Sequence, residues 1–318
     1  MPERQSPRGI YRFAIATSCC TVLLLMAGAL VTSNNAAESV PDWPLAYGKL
    51  IPPMIGGIRF EYAHRVMAAL VSIMTLILAV WLAASEKRRT ARRLGWAALG
   101  LIIAQAVLGG IRVLVGYPAL SATAHAILAQ IFFLTIVGLT LYVSPWWQRD
   151  LPQLEDSSRT VRFVTLWTTV AILAQLVLGA AFRHGAFGID PHLFGAGIVT
   201  MMVIWAGKSV KQQFRGVREL RLGVIFLHAF FGIQILFGGA AWWAVIKAAN
   251  AAQPSVTYVT LTVAHVLGGA LTLAASFILT LCCYRLIRPS VSEVADSPAA
   301  RTRAAQTRAA DSPQRAGV

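Results

Sequence analysis

Eight stretches of the chain carry apolar side chains almost without interruption, at about 12–32, 60–84, 94–115, 121–143, 162–182, 190–207, 222–246 and 256–284. Each is close to the ~20 residues an α-helix needs to cross a hydrocarbon layer roughly 30 Å thick. None shows the alternation of polar and apolar positions, over ~10 residues, that marks a membrane β-barrel strand. Inside a bilayer no water satisfies peptide groups, so these runs are predicted to be helices. The first run is read as a span and not as a signal peptide: no small-x-small cleavage site follows it, and further spans do. The predicted fold is an all-α membrane protein with eight transmembrane helices.

Composition agrees. Of 318 residues 57% are hydrophobic and 13% charged, against about 25% charged in a soluble domain. A soluble enzyme, a disordered polar chain and a disulfide-stapled secreted domain are all excluded. The 28 Lys and Arg outnumber the 13 acids, for a net charge of +15, but they are unevenly placed. Twenty-two lie at the N-terminus, in the 85–93, 144–162 and 208–221 connections, or in the tail. The other six (Lys49, Arg59, Arg65, Arg112, Arg183 and Lys247) lie in or near the alternate connections. This asymmetry predicts a multi-pass protein of the cell (inner) membrane with both termini cytoplasmic. Attraction to anionic lipid uses the same charge, so no nucleic acid partner is required. Residues 1–11 are the cytoplasmic N-terminus. Residues 286–318, rich in Ala, Arg, Ser and Pro, are expected to form a disordered cytoplasmic tail.

A short pattern recurs on outward-running spans: Gln105-Ala-Val-Leu-Gly-Gly110, Gln175-Leu-Val-Leu-Gly-Ala180 and Gln234-Ile-Leu-Phe-Gly-Gly239. Close helix packing accounts for the small residues but not for the glutamines. The repeat points to a duplicated four-helix unit, hence two pseudo-symmetric bundles: 12–143, a cytoplasmic linker at 144–161, and 162–285.

Four of the six histidines fall on inward-running spans near the outer face: His64, His125, His192 and His265. Imidazole is costly in a membrane and marks a pathway or a ligand site. Zinc and copper sites commonly add thiolate or carboxylate ligands, and no cysteine lies at that level. The adjacent couples Cys19-Cys20 and Cys282-Cys283 sit nearer the cytoplasm and read as buried apolar fillers. No C-x-x-C-H motif supports covalent haem. Two imidazoles from facing helices suit the opposite sides of a haem iron. One pair per bundle predicts two haem sites, with Gly195, Gly197, Gly268 and Gly269 giving the macrocycle room. His184 reads as a solvated loop residue and His228 as a packing histidine. Glu61 shares a helix face with His64, either as a first-turn acid favoured by the helix dipole or as a carboxylate beside a bound haem.

The stretch Gly28-Ala-Leu-Val-Thr-Ser33, then Pro41-Asp-Trp-Pro-Leu45, Tyr47-Gly48 and Leu50-Ile-Pro52, leading into Glu61-x-x-His64-Arg65, resembles the haem A synthases. The resemblance runs over about 12–285 and is strongest in the first third. It implies oxidation of a ring methyl of haem O to the formyl group of haem A, which serves cytochrome c oxidase. By position it makes Glu61 the catalytic carboxylate. It makes His64 and His125 the ligands of the substrate haem iron, and His192 and His265 those of a resident haem b. Haem O synthase, oxidase assembly factors and an unidentified electron acceptor are the implied partners. Two departures stand out. Val40 and Ala46 occupy the places of a first-loop cysteine pair found in many members, so a thiol step is not supported here. Leu193 follows His192 where an arginine would echo His64-Arg65. Two other readings compete. A di-haem b-type electron relay leaves Glu61 and the Asp-Trp-Pro loop without a role. A repeat-built transporter predicts broken helices and midplane charges.

Overall fold

A computed structural model of the chain describes residues 8–115, 119–156, 160–248 and 251–289. It contains eight helices: α1 (Arg8–Ser33), α2 (Ile58–Ser85), α3 (Arg89–Val115), α4 (Ala119–Tyr142), α5 (Thr160–Arg183), α6 (Asp190–Phe214), α7 (Arg218–Ala248) and α8 (Val256–Leu286). All eight are long and apolar enough to cross a membrane, as the hydrophobic runs require. The chain is an all-α membrane protein with eight spans.

Packing follows chain order. Helix α1 lies against α2 and α4, and α3 closes on the same two; α5 lies against α6 and α8, and α7 closes on those. The two groups meet where α8 packs on α1 and α4, and where α5 packs on α4. One buried cluster holds Leu78, Leu82, Phe132, Ile136 and Leu139, another Leu220, Leu227, Leu273 and Leu279. Phe133 with Ala270 and Ala274 fills the seam between them.

Lipid tails are as apolar as leucine, so burial alone does not pull membrane helices together; close packing and polar links must. Helix α8 is the most enclosed span, and its buried positions are mostly small residues such as Gly268, Gly269, Ala270, Ala274, Ala275 and Ser276. Buried hydroxyls complete the seams. Thr169 Oγ1 lies 2.8 Å from Ser276 Oγ and 2.9 Å from Thr280 Oγ1, and the latter donates to the Thr165 carbonyl at 2.9 Å. In the first group Ser18 Oγ and Thr140 Oγ1 are 2.9 Å apart.

The end of the fold that carries both termini departs from the sequence expectation in several places. Helix α6 continues to Phe214 and α7 starts at Arg218, so Lys208 and Lys211 stand on the last turns of α6 and not in a connection. The linker holds a strand: Leu154–Asp156 (β1) pairs in parallel with Ile287–Pro289 (β2), just beyond α8. Arg285 Nη2 fastens the two by donating to the carbonyls of Trp147 at 3.3 Å and Arg149 at 3.0 Å. Residues 286–289, expected in the tail, therefore end α8 and form a strand; 290–318 and 1–7 lie outside the described residues. Cys282 and Cys283 are buried as expected, but Cys19 lies on the outer surface of α1.

Helices α2 and α3 approach closely at Gly95, where a Cβ would lie 2.9 Å from Leu82 Cδ1 and 3.3 Å from Ala79 Cα. Gly95→Val is expected to cost about 1–3 kcal/mol by overpacking. A lowered midpoint of thermal or detergent unfolding would report it, with Gly100→Ala, which meets nothing within 4 Å, unchanged.

Candidate functional site

The structure places His64 on α2, His125 on α4, His192 on α6 and His265 on α8, each in the first third of its helix. Each ring is seated on a glycine of the preceding helix. A Cβ at Gly28 would lie 3.2 Å from His64 Cε1, and one at Gly109 3.2 Å from His125 Cε1. At Gly179 it would lie 2.9 Å from His192 Cε1, and at Gly238 3.0 Å from His265 Cε1. At these distances a methyl group would push the ring aside by a few tenths of an ångström or more, so the four glycines help set where the imidazoles stand. Three of them close the Gln-x-x-x-Gly repeat visible in the sequence. The fourth, Gly28, carries no such flag.

The glutamines one turn earlier lie on the same helix face and reach the same histidines. Gln105 Nε2 donates to the His125 carbonyl at 2.9 Å. Gln175 Nε2 donates to the His192 carbonyl at 2.7 Å and lies 3.0 Å from its Nδ1. Gln234 Nε2 lies 3.5 Å from His265 Nε2. A correction follows for the glycines expected to admit a macrocycle. Gly195 and Gly268 make room for the side-chain oxygens of Gln175 and Gln234, and Gly269 faces Leu176 at 2.9 Å. Only Gly197 of the four opens on free space.

His192 and His265 have ring centroids 6.2 Å apart. Two imidazoles bonded to one metal ion at about 2 Å have ring centres roughly 6 Å apart, so this pair is spaced to share one. His64 and His125 stand on α2 and α4 of the first helix group. The Nδ1 atoms of His64, His125 and His265 are buried without a hydrogen-bond partner; such atoms are rare in folded proteins. Among the described residues no cluster of three or more His, Cys, Asp or Glu is present. The donor chemistry is thus paired imidazole, and it fits haem iron.

Glu61 is buried, and both its oxygens are engaged. Arg65 Nη2 donates to Oε1 at 2.6 Å, and the Val40 amide donates to Oε2 at 2.9 Å. Arg65 also donates to the carbonyls of Asp42 at 2.7 Å, Leu45 at 2.9 Å and Val40 at 3.4 Å. Asp42 in turn accepts the amides of Tyr47 at 2.6 Å and Gly48 at 2.7 Å, at a turn where both residues have φ near +60°. Those two amides, Gly48's first, and Arg65 hold the Asp42 carboxyl below its ordinary 3.8, against partial desolvation. Trp43 lies against Gly110, whose Cβ would fall 2.8 Å from Trp43 Cδ2. The Asp-Trp-Pro loop is therefore clasped to α2 and laid on α3 beside the His125 seat. Arg65 commits its guanidinium to this clasp.

His184 is half-buried, unlike the solvated residue expected. Burial first, then the neighbouring Arg112 and Arg183, lower its pKa to about 4. His228 is a satisfied packing residue, its Nδ1 2.8 Å from the Val224 carbonyl and its ring against Gly207.

Comparison with known proteins matches residues 60–191 to the family described as cytochrome oxidase assembly protein. The match contains Glu61, His64 and His125 and stops one residue short of His192. The chain is similar to the haem A synthase of Alkalihalophilus pseudofirmus, 35% identical over 176 residues, which are 54% of this chain and 59% of that protein. It is similar to that of Lysinibacillus sphaericus at 29% over 183 residues, 57% and 60% of the two chains. For Halalkalibacterium halodurans the figures are 36% over 141 residues, 43% and 45%. The matched part thus spans about three-fifths or less of each of these relatives. The resemblance read from the motifs is borne out.

Removing Arg65 leaves the Glu61 charge buried alone, so Arg65→Met is expected to loosen the loop by roughly 3 kcal/mol. Tryptic cleavage after the exposed Lys49 should then speed up by about two orders of magnitude. A depressed Asp42 pKa contributes stability above its ordinary value and loses it as pH falls through the lowered one. Intrinsic-rate-corrected amide exchange at Tyr47 and Gly48 should therefore stay slow at neutral and mildly acidic pH and quicken only at stronger acidity.

Proposed function

We propose that this chain is a haem A synthase, converting a ring methyl of haem O into the formyl group of haem A for cytochrome c oxidase. The observation that carries the reading is the set of four glycine-seated imidazoles, one pair in each helix group, with the family-matched Glu61-x-x-His64-Arg65 at the first pair. Substrate haem O is held between His64 and His125, and a haem b between His192 and His265. The two groups act as pseudo-symmetric bundles, 12–143 for the substrate and 162–285 for haem b.

The overall change is methyl plus water to aldehyde, releasing four electrons and four protons in two successive two-electron oxidations. Bound haem b supplies one-electron redox chemistry towards an outside acceptor. The chain's own residues do the rest. His64 and His125 fix the substrate, and their glycine seats fix its depth. Glu61, its charge balanced by Arg65, stands at the edge of the first pair as a preorganised carboxylate that stabilises positive charge developing beside it and takes up a proton. The clasped loop covers this end and limits water. The protein sits in the cell (inner) membrane with both termini cytoplasmic, next to the haem O source and the oxidase assembly factors.

Expression beside a haem O supplier, followed by chromatography and mass analysis of the extracted haems, tests this. Haem A or its alcohol precursor is expected; unchanged haem O with a bis-histidine spectrum would identify an electron relay instead. Glu61→Gln is expected to keep that spectrum and lower formyl product by roughly 100-fold or more. Undiminished haem A from that variant would remove Glu61 from the chemistry.

A further inference from the structure

The four seats share a glycine but differ in what precedes it. One turn before the seat glycine stands Gln105 on α3, Gln175 on α5 and Gln234 on α7, but on α1 that place holds Leu24. Leu24 is buried and has no side-chain group to donate. The amides of Gln105 and Gln175 bind the main-chain carbonyls of their histidines, and those of Gln175 and Gln234 reach ring nitrogens. In the second helix group, notches at Gly195 and Gly268 receive these glutamines; the corresponding places after His64 and His125 are Met67 and Leu128. Among the described residues no glutamine reaches His64, whose ring meets only the Leu24 main chain as a polar partner; its Nδ1, like those of His125 and His265, has no hydrogen-bond partner. Its turn is tied outward instead, through Glu61 and Arg65 to Val40, Asp42 and Leu45 of the loop.

We infer that His64 is the ligand that lets go: the absence of a glutamine at Leu24 makes the iron–His64 bond the releasable one of the four, and loop and His64 move together. This rests on the reading of His64 and His125 as the substrate pair. Release breaks one nitrogen–iron coordinate bond. The imidazole keeps its lone pair, the iron takes a water or an added ligand, and no electron is transferred. His125, strapped by Gln105, keeps the porphyrin oriented meanwhile. The second pair has two straps and retains its porphyrin. An enzyme that exchanges one haem and keeps another needs this difference, and Gln105, Gln175 and Gln234 are its positioning residues. Ligands whose outer partners orient them are commonly bound 10–100-fold more tightly than those without.

The test uses the full chain in lipid nanodiscs loaded with ferric protohaem, mixed with excess cyanide and followed optically. Two phases are expected, the fast one levelling off with cyanide because loss of His64 limits it; in His64→Ala, where the iron is already open, that phase becomes faster still and rises linearly with cyanide. Leu24→Gln should slow the fast phase by about tenfold, the equivalent of one buried amide hydrogen bond, with Leu24→Met unchanged. Gln175→Leu and Gln234→Leu should speed only the slow phase. Should Leu24→Gln not fold, Gln105→Leu decides: it places at α3 the residue α1 already carries, and should weaken protohaem retention at the first pair only. A single common rate, a fast phase whose rate and cyanide dependence are unchanged in His64→Ala, or straps whose removal changes neither phase would overturn the inference. These outcomes are separable from failure of the functional reading. Two bound haems released at one rate reject the inference alone, whereas two rates without formyl product reject the synthase and leave His64 as the labile ligand.

Discussion

The contact between an imidazole and a bare backbone holds this molecule's chemistry in place. A histidine ring in a bilayer has lost its water, and it persists only where its nitrogens have work and its carbon edge has a fitted surface. Four times the preceding helix supplies that surface with a glycine, at a distance a methyl group would violate. Because the glycine stands late on an outward-running helix and the histidine early on the next, the pairing sets the rotation of both helices and the depth of the ring at once. Packing and function are therefore not separable here. The side chains that settle how α1 meets α2, or α7 meets α8, are the ones proposed to hold haem iron.

A second constraint acts at the outer face. Val40 and Ala46 are both buried, and no covalent staple links them. The loop is held instead by charge: Arg65 gathers three carbonyls and the Glu61 carboxylate, and Asp42 gathers two amides. Such a clasp gives the loop a defined resting position while leaving it openable without redox chemistry. It also gives Glu61 a structural duty beside the chemical one proposed for it, which is why a glutamine replacement separates the two better than an alanine.

The eight helices were legible in the chain because a membrane span is a local property: twenty apolar residues without water allow only one backbone solution. The four histidines proposed as ligands were legible for the same reason, since a polar ring in such a run stands out against its neighbours. The Gln-x-x-x-Gly repeat was visible too, but its purpose was not. Spacing within one helix says which side chains share a face, and is silent on what the next helix brings to that face. Gly195 and Gly268 show the limit plainly. Beside a histidine they suggested room for a macrocycle, and in the fold they make room for a glutamine from another helix.

The sequence by itself thus determined the number of spans, the residue types available for chemistry and the level at which they lie, all set by solvation and by the helix repeat. Tertiary structure alone decided that Gly28 is a seat although no glutamine announces it. It decided that Arg65 spends its donors on a loop twenty residues earlier, that His184 is drawn between two arginines, and that the linker pairs with the segment after α8. Each of these depends on which surfaces meet across long sequence separations. That is a matter of three-dimensional fit, and no one-dimensional pattern contains it.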